Sequence, residues 1–294
     1  MNHGNNPAAP LIDRRAWRAH RERAARAVVD FLHAEIAERL IDRLDVVNRE
    51  FADGLDLGAR DGALSGALGA RRGTRRVVAA EPAVGWLRRA AGRRVAADPE
   101  LLPFGEASFD LVVSNLALHW CGDLPGALIQ LRRTLKPDGL LLAAMLGGQT
   151  LVELRTVLFE AQLAEEGGVS PLVSPMVELA DAAALLTRAG FALPVADSEK
   201  ITVSYPDLFA LLRDLRGMGE TNALAARRRH GLGRATLARA GALYAERFGD
   251  ADGRIPATFE VVFLCGWAPD PGQPRPLPRG SAAARLADAL KPQG

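Results

Sequence analysis

From Gly54 onward the chain alternates short, continuous apolar runs with stretches whose apolar residues recur at helical spacing. The runs read GLDLG, RRVVAAE, RRVAAD, FDLVVSNLAL and GLLLAAML, and between them lie helical patterns at 63–70, 83–91 and 124–135. Strand-length runs that do not alternate with polar residues are buried on both faces, and intervening helices make such strands parallel. The pattern predicts an α/β fold with a doubly wound, mostly parallel sheet. Two later runs, EKITVSY and ATFEVVFLCGW, predict an antiparallel pair that brings the sheet to seven strands. Between those two runs, DLFALLRDLRGMGETNAL and GRATLARAGALYAERFG predict a helical insertion over about 206–250, placed to cover a ligand cleft.

Other segments follow the same logic. LGGQTLVELRTVLFEAQL reads as a loop and a helix, GGVSPLVSP as a loop rich in turn formers, and 181–189 as a helix that stops at Gly190. Ahead of the sheet, Ile36, Leu40, Ile41 and Leu44 recur at helix spacing between Glu35, Glu38, Arg39 and Arg43. This makes 11–50 a helical cap on a main domain spanning 51–267. Its basic start, RRAWRAHRERAARAVV, has the charge of an organelle transit peptide, but it contains Glu22 and is expected to be a solvated helix. Residues 1–10 and the proline-rich 268–294 are expected to be disordered tails.

Charge and cysteine usage narrow the function class. The net charge is only +2, and the basic residues are nearly all arginines interleaved with acids, so no basic and aromatic footprint for nucleic acid is present. Cys121 and Cys265 stand far apart, and His3, His20, His33, His119 and His230 show no ligand spacing, so no metal site is expected. No apolar run approaches the ~20 residues that span a bilayer, and no secretory signal is visible. The expectation is a cytoplasmic protein.

In a doubly wound sheet, ligands bind beyond the carboxyl ends of the strands. After the first strand, Asp56, Gly58 and Gly62 form a glycine turn that lets backbone N–H groups approach a ligand. Arg60 and Ala63 stand where a dinucleotide fingerprint needs glycine, and no phosphate-loop lysine follows, which disfavours NAD and ATP chemistry. Glu81 ends the second strand, where an acid accepts from both hydroxyls of a ribose. Asp98 ends the third, beside Leu101 and Leu102, positioned for the amine and ring of an adenine. A nucleoside without a pyrophosphate describes S-adenosylmethionine.

These residues resemble the class I S-adenosylmethionine-dependent methyltransferases, with LDLGARDG as the first motif, Glu81 as the ribose acid and ADPELLPF as the adenine contact. Arg60 departs from the usual middle glycine, at little cost if its φ is negative and up to about 3 kcal/mol if it is not. A longer likeness, carried by LHWCGDLPGAL, AMLGGQTLVELR, EEGGVSPLVSP, YPDLFALLRDLRGMGETNAL and IPATFEVVFLCGW, is to the family of mitochondrial complex I assembly factor 5 and its bacterial relatives. That resemblance implies hydroxylation of an arginine in the quinone-proximal iron–sulfur subunit of NADH dehydrogenase, met peripherally at the inner membrane. A weaker likeness is to malonyl-acyl-carrier-protein methyltransferases. Methyl transfer to oxygen or nitrogen, and a non-catalytic assembly chaperone, therefore stand as alternatives.

Several residues carry two readings each. His119 is a general base at the cleft edge or, with Trp120, packing for the strand–helix junction. Ser114 and Asn115 line the methionine end of the cofactor or cap a turn. Glu153 and Arg155 grip a peptide or guanidinium, or face solvent. Gly217 and Gly219 mark a hinge or substrate-gripping loop, or a plain turn between helices, with Asp214 and Glu220 available to an arginine substrate. Tyr205 faces the same cleft.

Overall fold

The computed structural model describes residues 10–27 and 29–274. The expected tails lie outside these residues, apart from Pro10 and 268–274. The order is α1 (Arg14–Ala24), α2 (Phe31–Asp45), β1 (Asp53–Leu57), α3 (Ala63–Gly69), β2 (Arg76–Ala80), α4 (Val84–Leu87), β3 (Arg93–Val95), β4 (Phe109–Asn115), α5 (Leu124–Thr134) and β5 (Leu135–Leu146). There follow α6 (Val152–Glu166), α7 (Leu179–Arg188), β6 (Ala192–Tyr205), α8 (Leu208–Met218), α9 (Arg234–Phe248) and β7 (Ile255–Trp267).

The seven strands form one sheet in the order β3-β2-β1-β4-β5-β7-β6. Pairing is parallel from β3 to β5 and antiparallel on both sides of β7. The chain reverses direction across the sheet between β1 and β4, so the ends of those two strands flank the crevice where a doubly wound sheet binds its ligand. Every residue of β1 is buried, as its unbroken run requires. The edge strand β6 alternates between half-buried and exposed.

One layer of the core joins α2, α6, α8 and α9 to one face of the sheet; a second, with α5 and α7, covers the other. α2 turns Leu32, Ile36, Leu40 and Leu44 into the first layer. Burial stabilises by about 1.5–3 kcal/mol per such side chain, whereas a helix this short is marginal alone, so packing holds it.

The structure corrects four expectations. The N-terminal cap is two helices, and α1 is not solvated: Trp17 and Arg21 are each only 1% exposed. The run RRVAAD yields a strand of three residues and 83–91 a single helical turn, because between Arg88 and Gly92 no apolar side chain larger than alanine is available to bury. β6 begins at Ala192, well before EKITVSY, because β7 offers it a partner back to Trp267. Gly217 does not break the helix: α8 runs through it and closes at Gly219, whose φ of +90° supplies the left-handed cap.

Candidate active site

β1 delivers its chain end to a loop that only glycine permits at two points. Gly58 has φ +79°, and a Cβ there would lie 2.4 Å from that of Ala117; Gly62 has φ +80°, and its Cβ would lie 2.8 Å from that of Ala90. Between them Arg60 adopts φ +50°, the strained case for a side-chain-bearing residue. Its surroundings fix it there. The backbone N–H donates to Glu81 Oε2 at 3.2 Å, and the guanidinium donates to the carbonyls of Met218 (2.8 Å) and Val29 (3.2 Å) and lies over the Trp86 ring at 4.3 Å. Burial, with the nearby Arg21 charge, lowers its pKa to about 10, so it remains charged at neutral pH.

Around this loop three buried polar atoms lack partners, and their residues line one cavity of about 70 Å³ with Asp30, Gly58 and Arg60. Asp56 accepts from Ser65 Oγ at 2.6 Å through Oδ2, which leaves Oδ1 free, and burial pushes its carboxyl up to about 7. Asn115 donates through Nδ2 to the His33 carbonyl at 2.8 Å and leaves its Oδ1 free. His33 Nε2 faces the Arg60 donor at 3.2 Å, which assigns the ring proton to the unpartnered Nδ1. Burial and the Arg60 and Arg21 charges keep that ring neutral, its pKa well below the usual value. Two free acceptors suit an ammonium, while a free N–H beside a guanidinium suits a carboxylate. The residues present therefore fit the amino-acid end of S-adenosylmethionine.

The carboxylates expected at the nucleoside end are already engaged. Arg21 donates to both oxygens of Glu81, at 2.8 and 2.6 Å, in full burial. Arg14 donates to both oxygens of Asp98, Nε at 3.0 Å, and to the Trp120 carbonyl at 2.6 Å. Leu101 is 77% exposed. Ser114 is buried within β4, its hydroxyl spent on the Leu57 carbonyl at 3.0 Å.

A second group forms where β5 ends. His119 and Trp120 occupy a 3-10 turn (Leu118–Trp120) after β4, and Glu220 follows α8. His119 Nδ1 accepts from the Leu146 N–H at 3.4 Å, so Nε2 carries the proton and donates to Glu220 Oε2 at 3.0 Å. Trp120 Nε1 donates to the same oxygen at 2.9 Å, while Glu220 Oε1 is buried without a partner. Burial would raise the Glu220 carboxyl, but His119, Arg21 and Trp120 together hold it below the usual range. Glu220 borders a cavity of about 650 Å³ with an apolar floor that includes Leu146, Leu154, Leu158, Leu215 and Phe259.

The structure does not bring every candidate to this cavity. Tyr205 is 4% exposed in the core, its phenol raised by burial beside Asp214, and neither residue lines the cavity. Glu153 is tied to β7 by the backbone N–H and hydroxyl of Thr258, and Arg155 to the carbonyls of Gly148 and Thr150, so both are engaged within the protein. Sequence reasoning passed over Arg14 and Arg21. Their signal was present: with Trp17 and Ala24 they form one face of α1, and a tryptophan on that face marks it as buried.

The family described as "Methyltransferase domain" matches residues 55–143. The chain is 40% identical over 267 residues to the mitochondrial arginine-hydroxylase NDUFAF5 of Danio rerio, covering 89% of this chain and 83% of that one. It is 36% identical over 300 residues to the malonyl-[acyl-carrier protein] O-methyltransferase of Methylovorus sp. (strain MP688), covering 97% of this chain and 95% of that one. Among solved structures, YcgJ from Bacillus subtilis shares the fold with a TM-score of 0.53 at 16% identity, over 80% of this chain and 99% of that one.

Proposed function

We propose, from the premise that this chain belongs to the NDUFAF5 arginine-hydroxylase family within the S-adenosylmethionine-dependent methyltransferase superfamily, that it binds S-adenosylmethionine and hydroxylates an arginine of a complex I subunit during assembly. The observation that carries this reading is Glu220. Glu220 lines the large cavity, its buried Oε1 is an acceptor with no donor among the described residues, and the surrounding donors keep the carboxylate ionised. A substrate guanidinium supplies what it lacks, a charge-assisted N–H donor. Asp56, Asn115, His33 and Arg60 would hold the amino-acid end of the cofactor, with Glu81 and Asp98 for the nucleoside end. When bound, that group would supply an electrophilic sulfonium methyl.

The substrate favoured by the family likeness is the quinone-proximal iron–sulfur subunit, met at the membrane surface. No helix among the described residues is long and apolar enough to cross a membrane. Methyl transfer is the second reading, supported by the malonyl-acyl-carrier-protein relative of nearly equal length. Mass spectrometry of that subunit, from hosts with and without this chain, separates them. Loss of one oxygen atom from an arginine on deletion is the expected result; loss of a methyl group selects methyl transfer; poor assembly of an unchanged subunit selects a chaperone; and an unchanged, normally assembled subunit ends the complex I reading. Restoring the deletion with Glu220→Gln should lower the oxygenated fraction roughly 10- to 100-fold, the loss of one charged hydrogen bond.

A further inference from the structure

The mouth of the large cavity is lined by arginines, and they are not alike. Arg227 pairs with Asp13 at 3.0 Å, Arg229 with the same carboxylate at 3.5 Å, and Arg228 with Glu166. Arg23 on α1 and Arg216 in the last turn of α8 line the same cavity, yet among the described residues neither has a carboxylate partner. Arg23 Nε is buried with no acceptor among the described residues, and burial first, then the Arg216 charge, weaken the hold of Arg23 on its proton. His20 stands beside them, its Nδ1 at 3.0 Å from the Thr221 carbonyl. Glu220 is the only acid among the lining residues, and its Oε2 is committed to His119 and Trp120.

Two unpaired like charges lining one cavity, one with a buried and unsatisfied donor, are unfavourable until an anion arrives, and guanidinium groups bind a carboxylate through charge-assisted bonds. We infer that Arg23 and Arg216 form an anion subsite at the mouth of the cavity. The protein substrate then carries an Asp or Glu near its target arginine, the guanidinium reaching Glu220 and the carboxylate resting on the two arginines. This deepens the reading of Glu220 as the guanidinium acceptor and rests on it for the substrate's cationic end alone. Without such an acid, the two unpaired guanidiniums repel an arginine peptide before it reaches Glu220.

The test is peptide binding to the full chain, followed by fluorescence anisotropy at fixed ionic strength. One labelled, alanine-rich peptide carries Arg and a nearby Glu; a second carries Arg and Gln; a third carries citrulline and Glu. The wild type should bind the first about tenfold more tightly than the second, and the Arg23→Gln, Arg216→Gln double variant should bind the two alike. The Arg23→Lys, Arg216→Lys variant, which keeps the charge, should recover part of the preference, and unchanged thermal melting in both variants excludes misfolding. Equal binding of the first two peptides by wild type overturns the subsite while leaving the Glu220 reading intact. A preference that survives in the double glutamine variant overturns it too. Equal binding of the first and third peptides, with the Glu preference retained, leaves the subsite standing and removes the guanidinium from Glu220. Displacement of the first peptide by malonyl-phosphopantetheine at concentrations far below those its unlabelled copy requires overturns the acidic-peptide assignment in favour of a phosphate-bearing acyl arm.

Discussion

Arg21 and Glu81 are ions in a place where neither survives alone, at 1% and 0% exposure. Removing one partner of such a pair leaves an uncompensated buried charge, at a cost of about 3–5 kcal/mol, whereas replacing both costs much less. Arg21→Met should therefore lower the unfolding free energy by about 3 kcal/mol, the low end because Glu81 still accepts from the N–H groups of Arg60 and Ala83. Adding Glu81→Gln should restore at least half of the loss in denaturant titration; simple additivity of the two changes would mean that the pair is not coupled. Asp56 sets a pH dependence of a known sign. Its folded pKa of about 7 lies above the unfolded value of 3.8, so its contribution is complete below the unfolded value and is lost as pH rises through about 7. Buried His33 and His20 work the other way: their pKa values are lowered on folding, and stability is lost as pH falls below 6.5. Asp56→Asn deletes only the first effect. Its melting temperature relative to wild type should climb between about pH 5 and pH 8, and a flat difference would place the carboxyl in an ordinary titration range.

Among the elements, α8 shows how packing reverses a local preference. Alanine is favoured over glycine within a helix by about 1 kcal/mol. At Gly217, however, a Cβ would sit 2.5 Å from Val29 Cγ2, and a β-branched valine has no easy rotamer to yield. Overpacking typically costs about 1–3 kcal/mol, so Gly217→Ala should destabilise, and combining it with Val29→Ala should return the loss or leave a net gain. The element level is also where the sequence was most readable. The parallel strands from β1 to β5 follow from continuous apolar runs, the late antiparallel pair from two β-rich stretches, and the glycine turn from Gly58 and Gly62. The edges of the sheet were less readable, because β3 and β6 are held by what their neighbours offer. The site was readable in part. Asp56, Glu81, Asp98, His119 and Glu220 stand where strand ends and loops suggested, but nothing periodic ties Arg21 to a residue 60 positions away. Nor does the letter R at position 60 reveal a left-handed backbone held by carbonyls of two other segments.

At the scale of the molecule, α1 is a strap across both halves of the site. Its Arg14 and Arg21 hold Asp98 and Glu81, while Asp13 pairs with Arg227 and His20 faces Thr221 at the cavity. Backbone bonds from Asp13 to Ala223 (2.8 Å) and from Ala225 to Leu11 (2.9 Å) fix its start to the loop after α8. A nucleoside whose hydroxyls and amine take Glu81 and Asp98 must first displace the two guanidiniums. The binding-competent state is then a minority of the free protein, and apparent affinity falls by that fraction. Saturation with S-adenosylhomocysteine should therefore speed hydrogen exchange at the amides of α1, while the loop from Gly58 to Gly62 becomes better protected. Arg14→Gln, which frees Asp98 at a half-exposed site, should raise affinity for the same ligand several-fold in calorimetry. Slower exchange in α1 on ligand binding, with unchanged affinity in the variant, would mean that both arginines keep their carboxylates and that the nucleoside is held by other groups.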